Sequence, residues 1–190
     1  MPIALPVAVP TLAANLAATS MIGTGVPKYC AGVVTGLTIW VPQINVSTND
    51  VGSTGTGTNI PLPVTLATPV LLANLLTGMT SQGLIGVMMP PFISGLANGL
   101  TAVFLQALVS TQHVGVGSGS GVARFTAPPA FPSIAAGFAS AGMVGPVATR
   151  KAQALGIGLD RTFASLLLPV AIVGSASPSA TTGVGFGKII

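Results

Sequence analysis

The chain reads as a mainly α fold with glycine-rich extended or short β segments, laid out as three diverged tandem helix-turn-helix-plus-tail units. Three observations predict this. The stretch 36–52 is echoed over 99–115, Ala- and Leu-rich segments recur around prolines, and pairs of such segments run into charge-free tails of Gly, Val, Ser and Thr.

The echo is close. Gly36-Leu37-Thr38 answers Gly99-Leu100-Thr101, Gln43 answers Gln106, and Val46-Ser47-Thr48 answers Val109-Ser110-Thr111. Both copies then enter a glycine alternation, Gly55-Thr56-Gly57 in one and Gly117-Ser118-Gly119-Ser120-Gly121 in the other. Upstream, Leu12-Ala13-Ala14-Asn15-Leu16 matches Leu71-Leu72-Ala73-Asn74-Leu75. A more diverged third copy carries Ile134-Ala135-Ala136-Gly137-Phe138, Gly158-Leu159 with Phe163, and Thr182-Gly183-Val184-Gly185-Phe186-Gly187. The units run over 1–60, 61–127 and 128–190. A period of this length suits a supersecondary unit that buries little alone and is completed by stacking on its neighbours.

The elements follow in order. Residues 1–21 are apolar but lack a basic start and carry prolines at 2, 6 and 10, unlike a secretory signal. They predict an extended arm lying on a neighbour and leading into a helix near Thr11. First helices are expected over 11–22, 69–80 and 133–142, where Ala and Leu follow Thr or Pro. Pro27, Pro90-Pro91 and Pro146 then break the chain, and second helices follow over 28–40, 92–109 and 147–168. Pro42 ends the first of these, because proline lacks the amide hydrogen that continuation requires.

Gly32 with Gly36, and Gly95 with Gly99, lie four residues apart on one helical face. Small residues at that spacing let helix backbones approach closely, which offsets a propensity cost of about 1 kcal/mol per interior glycine. On this reading Gly99→Leu impairs assembly more than expression. Trp40, Phe104 and Phe163 are assigned to the core, and Met79, Met88, Met89 and Met143 to adaptable filling. The tails cover 44–60, 109–126 and 172–190. Unpaired extended backbone seeks pairing, so Val46, Val51, Val109, Val114, Val184 and Phe186 are expected to serve pairing between subunits.

Little in the chain can do chemistry. His113 is the only histidine, Asp50 and Asp160 are the only acids, and glutamate is absent. An acid/base pair would need those two aspartates, far apart in sequence and in different units. Cys30, the only cysteine, forms no intrachain disulfide and sits in an apolar helix as a small hydrophobe. One Cys and one His do not make a tetrahedral metal site. The loops 52–57 and 115–121 lack the lysine of a phosphate-binding loop, and the lysine of 183–188 has no helix after it. No catalytic, cofactor-binding or metal residue is assigned, and the chain is expected not to be an enzyme.

Composition narrows the partners. Half the residues are apolar and 4% are charged, where soluble domains carry about 25%. Mean hydropathy is +0.85. The net charge of +4 reflects scarce acids more than abundant bases, and Arg150-Lys151 with Arg161 is too sparse for nucleic acid as the main partner. Two classes remain: a subunit of a large protein shell, tube or fibre whose copies cover its apolar surface, and a small membrane-embedded protein whose helices pack through glycine pairs. Against the second, Gln82, Pro90-Pro91, Asn98 and Gln106 interrupt the uncharged region 60–112, and basic flanks are missing.

The charge-poor Gly/Ala/Ser/Thr-rich composition, with Val46-Ser47-Thr48 and Val109-Ser110-Thr111 running into glycine alternation, resembles small structural proteins of tailed-bacteriophage virions. That resemblance implies a virion location. Its implied partners are copies of itself and other structural proteins of the same particle, and membrane is the alternative location.

Overall fold

The computed structural model describes residues 5–50, 54–59, 68–114, 118–164, 167–175 and 183–189, with side chains over 8–44, 68–108 and 126–164. The fold is mainly helical. Among the described residues the order helix-helix-strand-strand occurs three times: α1 (Leu5–Ala18), α2 (Val26–Trp40), β1 (Asn45–Asp50), β2 (Thr54–Asn59); α3 (Thr68–Ser81), α4 (Met89–Leu105), β3 (Leu108–Val114), β4 (Ser118–Thr126); α5 (Ala130–Ser140), α6 (Pro146–Ala164), β5 (Leu167–Ser175), β6 (Gly183–Ile189).

Prolines set the helix starts. Pro27 and Pro90 occupy the first turns of α2 and α4, and Pro146 opens α6. Amides there have no intrahelical acceptor, so the missing N–H costs nothing. The expected extended arm is corrected by the same physics: helix begins at Leu5, because Pro6 falls in the first turn. Only Pro10 lies inside α1, where it removes the bond to the carbonyl four residues back and its ring crowds that carbonyl. Residues 1–4 lie outside the described residues. At the other end of α2, a short 3₁₀ turn over Val41–Gln43 holds Pro42, and Ile44 is extended.

The helices form a ring. Within each pair a short turn makes the helices antiparallel. Between pairs α2 packs on α3, α4 on α5, and α6 returns to α1. A methyl group added at Gly32 would meet Met79 Cα at 3.1 Å, and one at Gly36 would meet Leu75 Cα at 2.7 Å. Going forward along α2 therefore means going backward along α3. Gly95 against Phe138 Cα (2.9 Å) and Gly99 against Ile134 Cα (2.6 Å) give α4 and α5 the same register. All three interhelix turns thus lie at one end of the ring, and the strands follow at the other.

Side chains of α2, α4 and α6 meet inside the ring. Trp40 touches Phe104 edge-on with ring centroids 4.8 Å apart, and Phe104 touches Phe163 at 5.2 Å. All three are buried, with Leu12, Leu37, Leu75, Leu100, Ile134 and Leu159. The indole Nε1 of Trp40 and the hydroxyl of Tyr29 are buried without a hydrogen-bond partner among the described residues.

The strands pair antiparallel in the order β1-β6-β5-β4-β3-β2. The outer strands β1 and β2 are consecutive in the chain and run within 8 Å of each other, so the sheet curls until its two edges meet. Its registers include Asn45 opposite Lys188, Thr54 opposite Val114, and Gly121 opposite Val170. Glycines alternate along β2 and β6, and the registers carried across β3, β4 and β5 place Gly55, Gly57, Gly183, Gly185 and Gly187 on the same face.

Candidate functional site

The residues with reactive groups lie apart. Cys30 is fully buried in α2, and burial pushes its thiol up to about 11, so it stays un-ionised at neutral pH. Asp160, near the end of α6, accepts hydrogen bonds from the Ala130 amide at 3.0 and 3.3 Å. It thereby caps the start of α5, where amides lack intrahelical acceptors. Burial raises its carboxyl above the ordinary range, and the Ala130 bond opposes that shift. Asp50 and His113 lie on β1 and β3. Among the described residues no group of three or more His, Cys, Asp or Glu is placed to hold a metal ion.

Gly32, Gly36, Gly95 and Gly99 are buried where helices touch, and they meet helices of the same chain. This changes the expectation for Gly99→Leu: backbone of α5 stands 2.6 Å from the new Cβ, so the fold itself is the first casualty, before any contact between subunits. The sequence reading missed the reciprocal glycines. A Cβ on Gly78 would fall on the Gly32 carbonyl oxygen, and one on Gly137 on the Gly95 carbonyl oxygen. Each stands as a single glycine inside its helix, Gly78 in α3 and Gly137 in α5.

Val46, Val109, Val114, Val184 and Phe186 lie on strands whose backbone pairs within the chain, and Val51 lies outside the described residues. Any pairing with another subunit through these tails would first have to part β1 from β2, the two sheet edges that meet each other.

Exposed apolar side chains among the described residues include two groups. One is the uncharged flank formed by α3, α4 and the start of β3, where Val70, Leu76, Leu105 and Leu108 are 39–51% exposed. The other is the turn end. Each interhelix turn has the same build: an apolar residue whose amide bonds back to the helix, a second apolar residue, then glycine. The amides of Met21, Leu84 and Met143 donate to the carbonyls of Leu16, Met79 and Phe138 at 2.9, 3.1 and 2.9 Å. Gly23, Gly86 and Gly145 follow at φ 150°, 159° and 101°, and the positive φ of Gly145 is one that a side chain would strain. The residues between them, Ile22, Ile85 and Val144, are 81%, 82% and 78% exposed. Val87, Met88 and Val147 extend this apolar end.

Cations gather at the same end. Lys28 and Arg150 are exposed in the first turns of α2 and α6. Lys151 is half-buried, with its Nζ 5.2 Å from the centroid of Tyr29 and 5.1 Å from that of Phe92, a cation over two ring faces. Burial pulls its ammonium below the usual lysine range. The chain's two acids, on β1 and near the end of α6, are both away from this end.

No family model, curated protein or solved structure matches the chain. No described helix is long and apolar enough to cross a membrane.

Proposed function

We propose that the chain is a non-enzymatic structural subunit of a large protein assembly, of the kind that builds bacteriophage virions. It consists of three diverged tandem helix-turn-helix-plus-tail units, over 1–60, 61–127 and 128–190. It acts by packing against copies of itself and other structural proteins, with no cofactor.

The observation that carries this reading is the flank of the second unit. From Asp50 to Arg124 there is no formally charged side chain, and along that stretch Val70, Leu76, Leu105 and Leu108 face outward. Exposed apolar side chains on a stretch without charge are what a neighbouring chain covers, since interface cores are depleted in charged residues.

The test is the mass of the chain expressed without detergent, measured by size-exclusion chromatography with light scattering. Discrete oligomers are expected, and Leu76→Lys with Leu105→Lys, both exposed, should reduce them to monomers that keep their helical circular dichroism. A wild-type chain that is monomeric at micromolar concentration would overturn the reading. Recovery only in detergent or lipid would transfer the glycine pairs to a membrane-embedded protein.

A further inference from the structure

We infer that the turn end of the helical ring is a docking surface for an anionic lipid bilayer. This goes beyond the packing of subunits through the uncharged flank, because it concerns a different face and a different partner.

Three features carry the assignment. The first is the presentation of Ile22, Ile85 and Val144 at matched positions of three turns at one end, each about four-fifths exposed. Apolar side chains on separate tips enter the boundary between headgroups and acyl chains without the helices having to cross it. The second is the sign of the surrounding charge. Lys28, Arg150 and Lys151 stand at this end and neither acid does, so the end is complementary to a negative surface. Long basic side chains beside inserted apolar groups keep their charge at headgroup level.

The third feature sets lipid against a partner with threefold symmetry. The apolar tips recur in all three turns, but the cations do not: Lys28 belongs to α2, Arg150 and Lys151 to α6, and the first turn of α4 has Pro90 and Pro91 instead. A partner with threefold symmetry would meet one tip pattern and three different charge patterns. A fluid bilayer reads no register and accepts both.

Flotation with vesicles tests this. The full chain is mixed with vesicles of phosphatidylcholine alone and of phosphatidylcholine with phosphatidylglycerol. Flotation with the anionic vesicles is expected, and it should weaken as salt rises. Ile22→Ser, Ile85→Ser and Val144→Ser combined should lower the apparent affinity at least about tenfold, given the apolar area each tip removes from water. Lys28→Glu with Arg150→Glu should lower it while leaving any residual binding to neutral vesicles unchanged. All five side chains are exposed, so thermal melts of the variants should match the wild type and separate lost docking from lost folding.

A wild-type chain that stays off anionic vesicles overturns the inference. Equal flotation with neutral vesicles overturns the anionic assignment, and full binding by the triple serine variant overturns the assignment to the tips. A chain that ignores vesicles but loses oligomeric mass in the triple variant gives the face to a second copy instead.

Discussion

At the scale of single residues the fold depends on glycines whose missing Cβ atoms leave room for another helix's backbone. Replacing such a glycine by alanine gains about 1 kcal/mol of helix propensity, and overpacking costs typically about 1–3 kcal/mol. Which effect wins depends on what the methyl meets. At Gly36 and Gly99 the neighbours are Leu75 Cα and Ile134 Cα at 2.7 and 2.6 Å, with carbonyl oxygens at 2.8 Å. Backbone cannot rotate aside, so the overpacking term should win and each variant lose up to about 2 kcal/mol net. At Gly158 the nearest atom is Leu12 Cδ2 at 2.6 Å, and the nearest backbone atom, Leu12 Cα, is at 3.3 Å. A side chain that can turn away leaves the two terms near balance, and Gly158→Ala should stay within about 1 kcal/mol of wild type. Gly25→Ala, with nothing within 4 Å, is the packing control: it should cost at most about 1 kcal/mol, through the cap it forms on α2 alone. Thermal melts at about 2–4 °C per kcal/mol resolve the series. Equal losses at Gly36 and Gly158 would refute the distinction between rigid backbone and yielding side chain.

At the scale of elements α1 is the described helix that carries a proline inside it, Pro10. Pro10 is exposed and supplies no amide to the Pro6 carbonyl. Pro10→Ala should therefore stabilise the protein by up to about 3 kcal/mol, the interior cost of proline relative to alanine. A thermal midpoint unchanged or lowered by this substitution would mean that α1 is held through the ring of that proline. The same helix shows what a sequence can and cannot say about this fold. Most helical segments were legible from Ala and Leu bounded by prolines, with ends displaced by a few residues. The start of α1 was not, because prolines at 6 and 10 carry the signature of an extended arm, and only their position relative to the first turn makes them tolerable. Gly32, Gly36, Gly95 and Gly99 were legible as contact residues through their spacing. Their partners were not, since Gly78 and Gly137 are single glycines and spacing has nothing to act on. The turn end was illegible for a related reason: Ile22, Ile85 and Val144 look like core residues until the return of each helix leaves them outside.

At the scale of the molecule the order of packing is cyclic. The α6 to α1 contact occupies the same place in the ring as α2 to α3 and α4 to α5, and β6 pairs with β1 as β2 pairs with β3. The closing seam is held by different side chains: Arg161 Nη1 donates to Asn15 Oδ1 at 3.2 Å across 146 residues, and Asn15 Nδ2 donates to the Thr11 carbonyl at 2.7 Å. The start of α1 and the end of β6 both lie where helices meet sheet, as do the end of β4 and the start of α5, which the chain joins directly through 127–129. A chain rejoined from Ile190 to Met1 by a flexible Gly/Ser linker and reopened between Thr126 and Ala127 exchanges one such join for another. Loop-closure cost grows slowly with length, and no native contact is removed. The permuted chain should fold with unchanged helical circular dichroism and a stability within about 1–2 kcal/mol of the original, since only the entropy of two connections differs. Failure to fold with progressively longer linkers would mean that one connection cannot replace another. The three helix pairs would then be held in place by chain order, with α1 docking last on a framework that the other two pairs build.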